Sequence, residues 1–180
     1  MRPNVSLSAL VLSALSSSCA LSLGLEHRQP YPQQMVKMTF YGYPDTHGDG
    51  NCSPPYVAHN CNNPDGTARN WLAGGDGSWG NPLSMAGNFK PCSIVYVPYL
   101  HKYGIIDDSC PPCAQDLLDV WVESGCYDDS GKVTQCEYDM TPADKQVVYY
   151  NIPFDQGSEQ PVAKGPLYDS NSQTCSHQTF

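Results

Sequence analysis

The sequence predicts one mostly-β domain with long, disulfide-stapled loops and a loop-rich C-terminal extension. Three observations lead there. Short segments alternate apolar and polar side chains with the two-residue period of strands, as in "SIVYVPYL" and "DLLDVWV". Stretches rich in Gly, Pro, Asn and Asp separate them, and 14 of the 18 acids are Asp, which favours turns over helices. No segment repeats apolar residues at i, i+3 and i+4 over three turns, so no helix beyond a single turn, at most at "DSCPPCAQ", is expected.

The chain has 180 residues, enough for one ordinary domain with a real core. Residues 1–24 read as a signal peptide: a short basic start, the apolar run "LSALVLSALSSSCALSLG" broken by serines, and a small-x-small site at Ser18-Cys19-Ala20. Residues 25–35 form a flexible lead-in, and the mostly-β domain runs from 36 to 152. The first strand is "KMTFYGYP", with Met38 and Phe40 facing opposite to Thr39 and Tyr41. A loop over 44–70 follows, and then Gly-rich turns around a short strand near Trp79. "SIVYVPYL" is the clearest strand, and Pro98, which lacks a ladder donor, places it at an edge or ends it. "YGIID", "DLLDVWV" and "VVYYNI" complete the strands, and residues 153–180 form a tail.

Once the signal is removed, eight cysteines remain: Cys52, Cys61, Cys92, Cys110, Cys113, Cys126, Cys136 and Cys175. An even number in an exported chain implies disulfides, although eight allow about 105 pairings. Cys175, near the C-terminus, is expected to staple the tail back onto the domain. Cys110 and Cys113 of "CPPC" have redox spacing, but a strand follows them where a thiolate-stabilising helix is needed, so they read as structural. Asn51-Cys52-Ser53 is a glycosylation sequon.

A net charge of −9 argues against nucleic acid and anionic membranes, both of which require cationic surfaces. No phosphate loop or nucleophilic serine motif occurs, and no cofactor is expected. Asp45, His47 and Asp49 match no metal-binding loop, so no metal site is assigned. The mature chain is expected to act as a monomer outside the cell.

The informative feature is acid inside strand sequence. Asp107 and Asp108 follow Ile105 and Ile106, and Asp119 stands between Leu118 and Val120. Alternation puts Leu117, Asp119 and Trp121 on one face of their strand and Leu118, Val120 and Val122 on the other, interior face. An apolar neighbour raises a carboxyl pKa, so Asp119 can stay protonated and donate to a glycosidic oxygen. A second carboxylate, Asp107 or Asp108, serves as base or stabilises charge. As strand neighbours these two point to opposite faces, so one at most shares the site. Trp121, Tyr41, Trp79 and Tyr103 are the candidate sugar-facing aromatics. The competing reading makes Asp119 an acceptor of backbone bonds that locks a loop.

"MTFYGYP", "AGGDGSWGNPLSMA", "SIVYVPYLHKYGIIDDSC" and "DLLDVWV" together resemble secreted fungal proteins with a six-stranded double-psi β-barrel. That group includes expansins, barwin, rare lipoprotein A-like domains, family 45 glycoside hydrolases and three-aspartate lytic transglycosylase domains. The resemblance implies engagement of cell-wall polysaccharide in a barrel groove, with lytic or wall-loosening action by Asp119, Asp107 and Asp108. It equally implies, as an alternative, a non-catalytic effector or glycan-binding wall protein on the same scaffold. Two positions depart from the pattern: Leu117 stands where expansins carry His, and Asn88 stands where a third acid is expected. Protease inhibition through the 44–70 loop is a third class, supported by loop shape only.

The secreted, fully oxidised chain is expected to begin between residues 21 and 28 and to show no alkylation before reduction. Intact mass with and without iodoacetamide under denaturing conditions checks this, and two or more alkylated cysteines would refute full oxidation.

Overall fold

A computed structural model describes residues 31–46, 53–111, 114–154 and 160–176. Asn51, Cys52 and Cys113, and with them the sequon and one half of "CPPC", lie outside the described residues, as do the signal peptide, His47 and Asp49.

Six strands close into a barrel: β1 (Gln33–Tyr41), β2 (Leu83–Gly87), β3 (Ile94–Val97), β4 (Lys102–Asp108), β5 (Leu117–Trp121) and β6 (Gln146–Tyr150). The order around it is β1-β5-β2-β4-β3-β6. The pairs β1–β5 and β2–β4 are parallel, and the other four are antiparallel. Parallel neighbours cannot be joined by a tight hairpin. The connections between them therefore run long over the surface.

Alternate residues fill the interior. Val36 and Met38 of β1, Leu83 and Met85 of β2, Val95 and Val97 of β3, and Leu118 and Val120 of β5 are all fully buried in one apolar cluster. Strand β3 has no free edge, because the barrel is closed. Pro98 instead stops the strand at Val97 and opens the turn in which the N–H groups of Leu100 and His101 reach back to Val97 and Pro98. The strand expected near Trp79 lies a few residues later, at β2. Residues 77–80 are bends, because the run Gly77-Ser78-Trp79-Gly80 cannot sustain a ladder.

Two helices interrupt the all-β expectation. The short α1 (Tyr43–Thr46) follows β1, and α2 (Ser130–Met140) packs against it. Asp129 caps α2 by accepting from the N–H groups of Gly131 and Lys132. Its buried positions are Val133, Cys136, Glu137 and Met140, a true helical stripe. A cysteine and a glutamate occupy half of that stripe, so an apolar pattern search passes over it.

The tail folds back. Its hairpin of β7 (Tyr168–Asp169) and β8 (Thr174–Cys175) is tied to α2 by the Cys136–Cys175 disulfide. Lys102, buried, donates to the carbonyls of Asp76, Ala163 and Gly165, and Glu123 accepts from the Leu167 N–H. Cys61–Cys92 staples the long loop to the turn before β3, and Cys110 and Cys126 are also disulfide-bonded. Among the described residues no helix is long and apolar enough to cross a membrane.

A buried ion pair ties the same loop to β4. Arg69 Nε donates to Asp107 Oδ2 at 2.9 Å. The other guanidinium nitrogens reach Asn63, the carbonyls of Pro82 and Gly74, and Ser84 Oγ. Truncating one partner of such a pair strands the other charge, so Arg69→Met is expected to cost about 3–5 kcal/mol. Urea unfolding reads this directly, and a loss under 1 kcal/mol would show that the pair does not anchor the loop.

Candidate functional site

The site begins with a register shift. Met85 faces Ile106 across the β2–β4 pair, but Ala86 faces Asp108, so Asp107 is an inserted residue in a β-bulge. Alternation along β4 breaks there. Asp107 accepts from Ser84 Oγ at 2.9 Å, Asp108 stands opposite Ala86, and Ser84 and Ala86 share the outer face of β2. Both acids therefore lie on the outer face. The expectation that they point to opposite faces is corrected, because an inserted residue cancels the two-residue period.

The same row continues around the barrel. Ala86 pairs with Asp119 on its other side, and Asp119 pairs with Thr39. Thr39, Asp119, Ala86 and Asp108 thus stand side by side on four adjacent strands. Asp108 and Asp119 are two strand spacings apart, roughly 10 Å between backbones, with only a methyl group between them. Thr39 Oγ1 donates to Asp119 Oδ1 at 2.8 Å. Asp108 is held by three donors: the Tyr41 hydroxyl at 3.2 Å and the N–H groups of Ala58 and Ser109.

Burial pushes the Asp119 carboxyl up to about 6, and the neighbouring Asp45 and Asp108 carboxylates add to the rise against the Thr39 bond. Asp107 is also pushed up to about 6 by burial, with Arg69 opposing. Burial and the carboxylates of Asp108, Asp107 and Asp119 raise the Tyr41 hydroxyl well above its ordinary value.

One acid that the sequence reading missed joins from α2. Glu137 is buried, and its carboxyl is raised to about 8 by burial, then by Asp45 and Asp119. Its Oε1 has no hydrogen-bond partner, although the carboxyl lies against that of Asp45. Gly42 makes this approach possible, since a Cβ there would come within 2.8 Å of Glu137 Oε1 and 2.6 Å of Ser124 Oγ. The sequence signal was present in "TFYGYPD", where a glycine separates the strand from an acid, but its partner lies 95 residues later.

Several expected site residues are not brought to the groove. Asp107 is fully buried, its Oδ2 held by Arg69 and Ser84, so it is not exposed at the groove. Trp121 is 3% exposed, packed with Tyr41 and Tyr43 in an apolar cluster, its ring edge-on to Tyr41 at 5.4 Å. It shares the face of Asp119 as alternation required, but its indole offers no platform to a sugar. Only the hydroxyl of Tyr41 reaches the acids. Tyr103 lies near the opposite end of β4, buried against Tyr96 and Trp79, with the tail over it through the Gln160 N–H. Neither Tyr103 nor Trp79 joins the acid row. A cleft of about 330 Å³ does open beside Asp108, lined by His59, Asn88, Phe89 and Ser109 among others. No group of acids, histidines and cysteines among the described residues is arranged to hold a metal ion.

The family model described as DDB_G0273701 N-terminal domain matches residues 33–176. The chain belongs to this family. The match runs from the first residue of β1 to the residue after β8, so barrel and tail hairpin form one family unit. No curated protein and no solved structure matches the chain.

The raised acids set a pH dependence. A carboxyl that titrates higher in the folded than in the unfolded chain contributes stability below its unfolded pKa, and loses it as pH rises through the folded value. For Asp119 that window closes near 6 and for Glu137 near 8. The melting temperature is therefore expected to rise as pH falls from 9 to 5. Glu137→Gln should melt about 2–4 °C above wild type at pH 8.5, the effect of roughly 1 kcal/mol in a domain of this size, and match it at pH 5. Scanning calorimetry checks this, and a variant less stable at both pH values would refute a buried, uncompensated acid.

Proposed function

We propose that the chain is a secreted double-psi β-barrel protein that engages cell-wall polysaccharide along its acid row, with Asp119 as general acid. The observation that carries the reading is the row itself. Two carboxylates flank one alanine on an outer sheet face, one of them pushed up to about 6 and the other held by three donors. A carboxyl near 6 keeps its proton in mildly acidic medium and can deliver it to a glycosidic oxygen as the bond to the anomeric carbon breaks. Asp108, fixed across Ala86, is placed to stabilise the positive charge on that carbon or to orient the water that adds to it. The two crossed parallel pairs, β1–β5 and β2–β4, support the double-psi assignment. Disulfides that bind loop and tail support an oxidising, extracytoplasmic compartment.

One observation favours the non-catalytic alternative. With Asp107 paired to Arg69 and Asn88 in the cleft beside Asp108, the strand row offers two acids, Asp108 and Asp119, where the resemblance to lytic barrels implies three. Incubation with cellulose, chitin, β-glucan and peptidoglycan, with bound protein and new reducing ends both measured, separates the readings. Sugar release is expected from wild type, with a loss of at least about 100-fold in Asp119→Asn and little change in retention. Retention without release by wild type would make the protein a binder. Neither retention nor release would overturn the proposal.

A further inference from the structure

The cleft of about 330 Å³ beside Asp108 has a lining that the acid row does not account for. Three segments converge on it. Asn88 and Phe89 follow β2, Asp108 ends β4 with Ser109 after it, and His59 comes from the long loop. Hydrogen bonds fix the loop to the strand: His59 donates its N–H to the Asp107 carbonyl at 2.8 Å, and the Ala58 N–H binds Asp108. Phe89 packs on the apolar core, its ring 5.6 Å from that of Tyr150 and tilted by 55°. The volume is at the small end of ligand pockets, so the cleft fits one ring or one side chain.

Charge decides what enters. Among the described residues Asp108 is the only acid in the lining, and no lysine or arginine joins it. Lys90, the residue after Phe89, is exposed and outside the lining. Asp108 also has acceptor capacity left. A carboxylate offers about four lone-pair sites. Oδ1 takes the N–H groups of Ala58 and Ser109, whereas Oδ2 takes the Tyr41 hydroxyl. One site therefore remains, on Oδ2. The Asn88 carbonyl and the Ser109 hydroxyl are further acceptors in the wall, and Phe89 supplies a ring whose face attracts a cation. The wider field has the same sign: Asp119 stands across Ala86, and the chain carries a net charge of −9.

We propose that this cleft is a binding site for a protonated primary amine. An ammonium group is all donor and carries one positive charge. Asp108 Oδ2 accepts from it in a charge-assisted bond, Asn88 and Ser109 accept its other N–H groups, and Phe89 adds cation–π attraction. A carboxylate or phosphate would meet Asp108 with like charge and find no cationic side chain of lysine or arginine in the wall. The inference stands apart from the polysaccharide reading, because it needs neither a glycan chain nor a proton on Asp119. An amino sugar and a basic side chain both carry the group.

The test is a titration of the oxidised, isotopically labelled mature protein at constant ionic strength, followed by amide NMR shifts. Glucosamine and Nα-acetyl-lysine amide are the amine probes, and glucose and N-acetylglucosamine are the uncharged counterparts. Both amines are expected to shift the amides of His59, Asn88 and Ser109. They should bind about tenfold more tightly than the neutral sugars, the scale of one charge-assisted hydrogen bond. Asn88→Asp adds a carboxylate at an exposed position of the wall and is expected to tighten amine binding about three- to tenfold. Asn171→Asp, which makes the same charge change in the exposed tail turn, should not. Asp108→Asn should abolish the preference for amines, and if it fails to fold the Asn88→Asp comparison still decides. Tighter binding of glucosamine than of the lysine amide assigns the amine to an amino sugar, the reverse assigns it to a basic side chain, and either supports the site. Equal binding of amine and neutral probes overturns it. So does the absence of any shift in the cleft amides with either amine, or an equal gain from Asn88→Asp and Asn171→Asp. Each of those results leaves the polysaccharide reading standing, since retention on insoluble glycans decides that separately.

Discussion

The bulge at Asp107 is the constraint on which the site depends. Without the inserted residue, strict alternation would send one of Asp107 and Asp108 into a barrel filled by Met85, Leu118 and Val120, where a carboxylate has no partner. With it, both acids leave the interior and divide the work. Asp107 receives Arg69 and Ser84 and so fixes the long loop to the barrel. Asp108 receives Tyr41 and Ala58 and so fixes the groove. One extra residue in one strand thus supplies both an anchor and a site.

The acids are expensive where they stand. Asp119 and Glu137 are pushed up by burial before any neighbour acts, which means the fold holds them partly away from water at a cost to its own stability. Cross-links on the segments concerned offset part of this. Cys61–Cys92 spans 31 residues and brackets Arg69, and Cys136–Cys175 spans 39 and begins one residue before Glu137. Each removes roughly 4 kcal/mol of unfolded-chain entropy on the chain-entropy model. A small barrel can therefore carry several desolvated carboxylates in one groove.

The barrel and its interior were legible in the sequence because strand period is local. Leu118, Val120 and Val122 read as interior from alternation alone, and each is fully buried. What alternation cannot supply is the bulge, which is a property of two strands together, and the fate of an outward side chain, which depends on what covers it. Trp121 faces outward as expected yet is closed off by Tyr41 and Tyr43. Glu137 was invisible for the opposite reason: its helix is marked by an Asp129 cap and a mixed stripe, and an acid on a helix ordinarily reads as solvated surface.

Acids occur in β-sequence here because the outer face of this barrel is not a surface. Loop 53–75, α1 and α2 lie over the β1, β2, β4 and β5 end and remove enough water to shift three carboxyls upward, while leaving Asp119 half-buried. Asp108 collects the N–H groups of Ala58 and Ser109, whereas Asp119 receives the Thr39 hydroxyl, with a minor contribution from the backbone of Val120, and burial pushes it up to about 6. Asp107, which anchors the loop through Arg69 and Ser84, is pushed up to about 6 by burial in the same way. The raised values therefore follow from how far the covering loop and helices exclude water from this face, and each acid's hydrogen-bond partners decide what it holds in place.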